Sequence, residues 1–431
     1  MKTAIYLSDN SHSNLDCRNP QLGNPGIGGT EYEFLMLAYA LAAFTDVEVN
    51  FYHYNNTNIL PDGVKSWIIH DYFEAFQHAQ AQGVEIMIFR GPCRPVEMLE
   101  AANKTKLKCI AWTHNFIDED DRDALTKCDA IKRVVFVGHE HYDHYIYHPV
   151  IKKSTYIFNM FDGRHLKLRD FPIEPAVTYT GGLYHVKGFH ILASMWKDIL
   201  KEVPEAKLYV VGSGKLYNKF IELGPLGVAE KEYEDMFASS LMIDGKLMPS
   251  VNFLGTLGQE KTEVYYKTTV GVMNPSGASE TFGISAIDME ACGVPVVTRA
   301  INGLFDTIKH GKTGLLGRNN DQIKNYIIKL LKDKELNLKL GRQAKEFAES
   351  EFLPEKLVKQ WLKLFDDVMN DRPCEYIRPS ENFGNNFKRL KIIDHWLMEH
   401  NIPLRFSKTK TFIKSKFPRV VSLIKKLLRR K

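Results

Sequence analysis

The sequence predicts an α/β protein built from two doubly wound domains. Three observations carry that expectation. Short strand-like runs alternate with helical or loop stretches from the first residues onward. The alternation restarts on a fresh strand after a proline-marked stretch near 165–175. The chain has 431 residues and 44% apolar composition, enough for two cores. The expected division is residues 1–170, residues 171–370 and a C-terminal extension, 371–431.

Residues 3–7 read as the first buried strand, and a long loop follows, ending PGIGGTEYEFLMLAYALAAF. Gly26, Gly28 and Gly29 precede a helix with Thr30 as expected N-cap and Glu33 as its capping-box partner. Such glycines let backbone approach a phosphate closely; the other reading is a tight turn packing helix on sheet. Strand-like runs recur at 47–52, 85–89, 108–112, 134–137 and 155–157. Trp112-Thr113-His114-Asn115 stands at the carboxyl end of one of them, where open sheets bind ligands. His114 is read either as facing a ligand or as hydrogen-bonded within its loop. Next comes Gly138-His139-Glu140-His141-Tyr142-Asp143-His144, whose imidazoles and carboxylates are spaced as zinc ligands. It continues into Tyr145-Ile146-Tyr147-His148-Pro149, aromatic residues that suit a helix start lining an acceptor cleft.

In the second domain, Ala176–Thr180 opens a new sheet. Lys207–Val211 is a strand ending in Gly212-Ser213-Gly214, Val251–Gly255 is another, and Glu263–Tyr266 begins a short helix. The centre of the domain is Asn274–Thr298, between the buried strands Val270–Met273 and Val294–Thr298, with a helix expected from about Thr281 to Cys292. A loop of Asn, Ser and Gly before a helix presents unpaired N–H groups at the positive end of the dipole, a ready phosphate site. Glu280 stands at the helix entrance and Asp288 eight residues on. At ~1.5 Å rise per residue they are about 12 Å apart, too far to share one proton or one metal. They suit an elongated ligand with hydroxyls at both ends and phosphates between, the shape of a nucleotide-sugar. Gly311-Lys312-Thr313 is a turn and no P-loop, because Asp306 occupies the required glycine position. Residues 321–370 carry helical apolar spacing.

The central unit resembles the E-x7-E signature of the retaining family 4 glycosyltransferases (group 1 type, GT-B fold), written PS…EGFG…EAMACGxPVV. Asn274-Pro275-Ser276, Glu280, Phe282-Gly283-Ile284 and Ala291–Val297 match it, with Asp288 in place of the second Glu. Ile157–Gly163 resembles the I-x-N-G-x-D segment that closes the first domain of that family. Tyr179–Gly188 resembles its G-R-L-x3-K-G, with Lys187 in place and Gly182 where Arg is usual. Asn302–Asp306 and His310–Leu316 resemble G-x-x-E…G-x-x-G-L-L, with Asp306 for Glu. Local sequence alone allows Lys187 to be a solvated surface lysine.

The resemblance implies two Rossmann-like domains facing across a cleft, and a sugar moved from a nucleotide donor to an acceptor hydroxyl with retention. No protein nucleophile, metal or other cofactor is then expected. It implies that Glu280, His114 and Lys187 act on the transferred sugar and leaving diphosphate. It assigns donor binding to Gly28, Gly29, Gly182, Lys187, Gly212, Gly214, Glu280, Phe282, Gly283, Ile284 and Asp288, with Asp288 on the ribose hydroxyls. A UDP- or GDP-sugar is the expected donor. Two alternatives stand beside this reading: a zinc-dependent hydrolase using the HEHYDH cluster, and a non-catalytic binding protein, suggested by Gly182 and Asp288.

Charge separates the chain into two parts. Residues 401–431 hold eleven Lys/Arg and no Asp/Glu, so the remainder is net −6 once these are taken from the total of +5. A mildly acidic body argues against nucleic acid as partner. The tail places apolar residues at 417, 420, 421, 424, 427 and 428, one face of a basic amphipathic helix. It suits an anionic membrane surface, with docking on the body or disorder as its other readings. The start, MKTAIYLSDNSHS, does not read as a signal peptide, and no apolar run approaches a membrane span. Six cysteines without a C-x-x-C pair read as free thiols of a reducing compartment. The expected location is cytoplasmic, with a lipid-linked or saccharide acceptor at the inner membrane face, as in bacterial cell-surface polysaccharide or glycolipid assembly.

Overall fold

The computed structural model describes residues 1–8, 15–54, 59–91, 96–172, 174–215 and 222–402. Its first lobe is a seven-stranded parallel sheet: Lys2–Leu7 (β1), Glu48–Tyr54 (β2), Val64–Ile69 (β3), Ile86–Gly91 (β4), Lys108–Thr113 (β5), Ile131–Phe136 (β6) and Ser154–Tyr156 (β7), in spatial order β3-β2-β1-β4-β5-β6-β7. The sequence reading does not predict β3. It lies at the sheet edge with Lys65, Ser66 and Ile68 exposed, so it lacks the apolar run that marks its neighbours.

The second lobe has six parallel strands: Ala176–Thr180 (β8), Lys207–Val211 (β9), Val251–Gly255 (β12), Val270–Val272 (β13), Val296–Arg299 (β14) and Gly314–Gly317 (β15). Their order is β12-β9-β8-β13-β14-β15, and a short hairpin, Met242–Ile243 (β10) with Lys246–Leu247 (β11), lies apart. Each sheet reverses its winding once, between β1 and β4 and between β8 and β13. Open α/β sheets form their binding crevice at the carboxyl ends of the strands at such a reversal. The segments leaving β1, β8 and β13 are the glycine loop, Gly181–Gly182 and Asn274–Gly283.

The helix Gly29–Phe44 is buried over most of its length between β1 and the helix Pro354–Met369, whose Trp361 meets Trp112 of β5 edge-on at 5.0 Å. The chain therefore returns to the first lobe near its end. Lys108 fixes that return, its Nζ donating to the carbonyls of Val368 and Met369 at 2.9 and 2.8 Å, where a helix C-terminus favours a cation. A continuous apolar seam joins the lobes, with Phe158 and Phe352 both packed on Phe282.

Beyond the helix Pro354–Met369, residues 371–387 run as a strap across both lobes into a last described helix, Lys388–Glu399. The basic amphipathic helix expected at 417–428 lies outside the described residues. Among those residues no helix is long and apolar enough to cross a membrane. Cys17, Cys109, Cys128 and Cys292 are buried free thiols and Cys374 is half-buried.

Two local expectations are corrected. The helix after the glycine loop starts at Gly29 with the extended Gly28 as N-cap, so Thr30 is already helical and cannot cap it. Glu33 closes no capping box; its buried carboxylate accepts the Met160 amide at 2.8 Å instead. The helix expected from Thr281 starts only at Ile284, because Gly283 takes a left-handed φ of 101° and breaks the turn. Glu280 therefore belongs to the loop, and the helical rise does not set its distance from Asp288.

Candidate active site

One cavity of about 200 Å³ lies between the lobes where the two sheet reversals face each other. From the first lobe it takes Gly29, Tyr32 and His114; from the second, Gly181, Gly182, Lys187, Lys261 and the segment Ser279–Ser285 with Asp288. An adjoining hollow of about 90 Å³ continues past Gly181 and Gly182 to Gly212 and Thr256.

Glu280 is nine-tenths buried and is held by two donors. Lys187 Nζ lies 2.8 Å from its Oε2, and Asn274 Nδ2 donates to the same oxygen at 2.9 Å. Burial raises the carboxyl pKa, but Lys187 and the Asn274 amide more than offset it and hold the group below the ordinary carboxylate range. Glu280 is thus an anion facing the cavity. Asn274 has φ 36°, a left-handed conformation an Asn can take when its side chain bonds locally. Its Oδ1 accepts from the Gly277 amide at 3.0 Å and the Ser276 hydroxyl at 2.8 Å.

Asp288 pairs with Lys261 at 2.6 Å, both groups buried. The sequence reading missed Lys261, though one signal was present: it occupies the first turn of the helix Lys261–Tyr266, where the dipole disfavours a cation. A buried carboxylate supplies the compensation. The cavity therefore holds two carboxylate–lysine pairs, Glu280 with Lys187 and Asp288 with Lys261.

His114 is buried against Trp112 and Phe34, with ring centroids 4.4 and 5.6 Å away. Burial, then the nearby Arg90 and His141, push its pKa well below the usual histidine value, so the imidazole is neutral. Its Nε2 is buried without a hydrogen-bond partner. Across the cleft, the Thr281 hydroxyl donates to the His114 carbonyl, tying the first-lobe loop to the second-lobe loop.

The structure sorts the remaining predicted donor residues. Gly29, Gly182, Phe282, Gly283 and Ile284 line the main cavity; Gly28 caps the helix beside it. Gly212 borders the adjoining hollow, and a Cβ there would stand 1.9 Å from the Gly181 carbonyl oxygen, so only glycine lets the two loops meet. Gly214 lies off both hollows, packed against Ala229, where a Cβ would approach to 2.9 Å. At Gly182 a Cβ would come within 2.4 Å of the Tyr184 ring. The Tyr184 ring fills the space beside that position.

The HEHYDH segment does not form a metal site; among the described residues no three His, Cys, Asp or Glu side chains gather as ligands. Its imidazoles pack against aromatic rings, while its carboxylates face a common lysine. His139 stacks on Tyr156 at 4.8 Å, and burial drives His141 down to about 3, between Phe116 and Phe136. Glu140 and Asp143 both face the strap, where buried Lys388 lies 2.9 and 2.6 Å from them. Asn385 of the strap also donates to Glu140 and, through its Oδ1, accepts the Asn302 amide of the second lobe at 2.9 Å. Asp306 reaches over from the second lobe to accept the Glu140 amide at 2.9 Å. Burial and then the Glu140 charge raise the Asp306 carboxyl to about 8. A Cβ at Gly138 would meet that carboxylate at 2.5 Å, which explains the glycine.

Residues 167–347 match the family model described as glycosyl transferases group 1. That match covers the second lobe, under half of the chain. The two lobes together resemble solved structures along most of the chain. A sucrose-phosphate synthase from Thermosynechococcus elongatus superposes with a TM-score of 0.64 at 18% identity, covering 86% of this chain and all of that one. The Anabaena protein HepE, solved in complex with UDP and glucose, gives 0.61 at 15% identity, covering 85% and 99%. The arrangement is the GT-B fold. Among curated relatives, the N-acetyl-alpha-D-glucosaminyl L-malate synthase of Bacillus anthracis is 26% identical over 200 residues, 46% of this chain and 47% of that protein. The D-inositol 3-phosphate glycosyltransferase of Rhodococcus jostii is 31% identical over 147 residues, 34% and 29%. The chain thus spans about half the length of the first relative and less of the second.

Proposed function

We propose that the protein is a retaining glycosyltransferase that moves a sugar from a UDP- or GDP-sugar to an acceptor hydroxyl. The observation that carries this reading is the two carboxylate–lysine pairs in one interlobe cavity, beside glycine loops and the start of a helix. Glu280, as an anion, accepts hydrogen bonds from sugar hydroxyls; Asp288 accepts those of the ribose. Lys187 and Lys261 supply positive charge to the diphosphate, and the first amides of the helix Ile284–Ala291 add to it. Lys261 thereby stands in for the cation that Gly182 lacks. His114, neutral and with a free Nε2, approaches the transferred sugar from the first lobe. With retention the departing phosphate takes the acceptor's proton on the same face, so the chain need supply charge and position but no nucleophile. The binding of UDP and glucose by HepE, and the glycosyl transfer for which the Rhodococcus jostii relative is named, support this chemistry by analogy.

The acceptor side is read from charge. The eleven basic residues of the tail favour an anionic membrane surface and a lipid-linked acceptor there, on the cytoplasmic face, as in surface polysaccharide assembly.

A thermal-shift screen of the purified chain against UDP-, GDP-, ADP- and dTDP-sugars and zinc tests the donor reading. A bound donor at ~100 Kd adds about 2.7 kcal/mol of stability. A UDP- or GDP-sugar should give the largest rise, and hydrolysis or transfer from it separates an enzyme from a binding protein. Silence from all four, with a response to zinc, overturns the reading.

A further inference from the structure

Six of the exposed large apolar side chains among the described residues fall within 376–396, at the strap and its helix: Tyr376, Phe383, Phe387, Leu390, Ile393 and Trp396. The last four recur every third residue and form a stripe winding along the helix. The helix already has its own anchors, because Leu397 and Met398 are buried and His395 bonds the Ile146 carbonyl at 2.9 Å. The stripe is therefore additional to what holds the helix in place. Phe387 also has a left-handed φ of 58°, an unfavourable conformation for a bulky residue, while its ring stays 55% exposed. Beside the stripe opens a hollow of about 870 Å³ with Phe305, Phe383 and Phe387 on its walls and Arg318 and Arg389 among its lining residues.

What covers this surface follows from where the described chain ends. Residues 403–431, directly after the helix, bring all eleven of the tail's cations and no acid. A second copy would bring two such segments together against their mutual repulsion. A lipid bilayer with anionic headgroups satisfies both chemistries, apolar insertion and neutralised charge.

We propose that the exposed stripe Phe387–Leu390–Ile393–Trp396 is a membrane-docking face, which inserts into an anionic bilayer while the following basic segment lies on the headgroups. The proposal rests on the membrane part of the function reading and goes beyond it. It makes a folded, fixed surface the anchor, so that the two lobes meet the membrane in one orientation.

Trp396 provides the test, because it is the most exposed of the chain's five tryptophans: Trp112, Trp196 and Trp361 are fully buried and Trp67 half-buried. The full chain is floated with phosphatidylcholine vesicles, with and without phosphatidylglycerol, some carrying bromine-labelled acyl chains. Binding to the anionic vesicles with bromine quenching of tryptophan emission is expected, and Trp396→Phe should abolish the quenching while retaining most binding. The triple variant Leu390→Ser, Ile393→Ser, Trp396→Ser should lose about tenfold or more of its partitioning; an unchanged melting temperature confirms that it folds. Binding without quenching, undiminished in the triple variant, overturns the docking face and leaves the tail alone as the membrane contact. No binding by the wild-type chain overturns both, whatever the nucleotide-sugar screen shows. A dimer in lipid-free solution that the triple variant abolishes would assign the stripe to a second copy instead.

Discussion

The interlobe cavity and the His139–His144 segment hold comparable sets of ionisable groups and put them to opposite use. In the cavity each carboxylate has its own lysine, Glu280 with Lys187 and Asp288 with Lys261, and all four side chains line open space. Around Lys388 two carboxylates share one ammonium, the strap amides and hydroxyl take up the remaining oxygens of Glu140, and every charged group is at most 2% exposed. The first set can exchange its partners for a ligand's. The second is spent on holding three segments together. Chemistry-bearing residues close in sequence are therefore a weaker guide to a site than residues that converge on a cavity from different strands.

Substitutions can break that contrast, and the largest effect is expected at the closed cluster. Lys388→Met leaves two buried carboxylates without their cation and should lower stability by about 3–5 kcal/mol, read by denaturant unfolding. Nucleotide-sugar affinity of the folded fraction should stay unchanged; a comparable loss of affinity would erase the distinction between the regions. At the open site, Glu280→Ala should cost about 10²-fold in transfer rate with little change in nucleotide binding, as measured by steady-state kinetics and calorimetry. Asp288→Ala should weaken nucleotide binding about tenfold, one ribose contact's worth, with a smaller effect on turnover. The reverse pattern would exchange the roles given to these two residues.

A pH series sharpens the comparison further at the closed cluster. Below 3.8, the usual aspartate value, Asp306 is protonated in both folded and unfolded chains. Between 3.8 and about 8 the unfolded chain releases that proton while the folded chain keeps it. Stability should fall as pH rises through this window and level off above it. Asp306→Asn removes the titration, so melting temperatures of this variant should decline less steeply than wild type between those limits. An identical slope would show that Asp306 is ionised in the folded protein.

The open site was largely legible in the sequence because local pattern encodes it. Glycines before helices, an Asn/Ser loop and a strand on either side fix the positions of Glu280, Lys187 and Gly283 within a few residues. Lys261 was not legible as a site residue, since its partner is 27 positions away and only its misplaced charge at a helix start hints at it. The strap cluster was harder still. Lys388 and Glu140 are 248 residues apart, and Ser380, Asn382 and Asn385 are short polar residues that the local sequence does not mark. The same distance explains why HEHYDH invites a metal reading: the lysine that answers it is invisible locally.

The strap also changes where the molecule can be cut. Composition shifts after Pro373, and a truncation designed on that shift would discard Ser380, Asn385 and Lys388 along with the basic tail. Such a shortened chain would expose a raw patch on the first lobe and carry two stranded carboxylates in its place. A truncation that keeps this cluster ends no earlier than Ile402, and crystallisation or tethering schemes should treat residues 371–402 as part of the body.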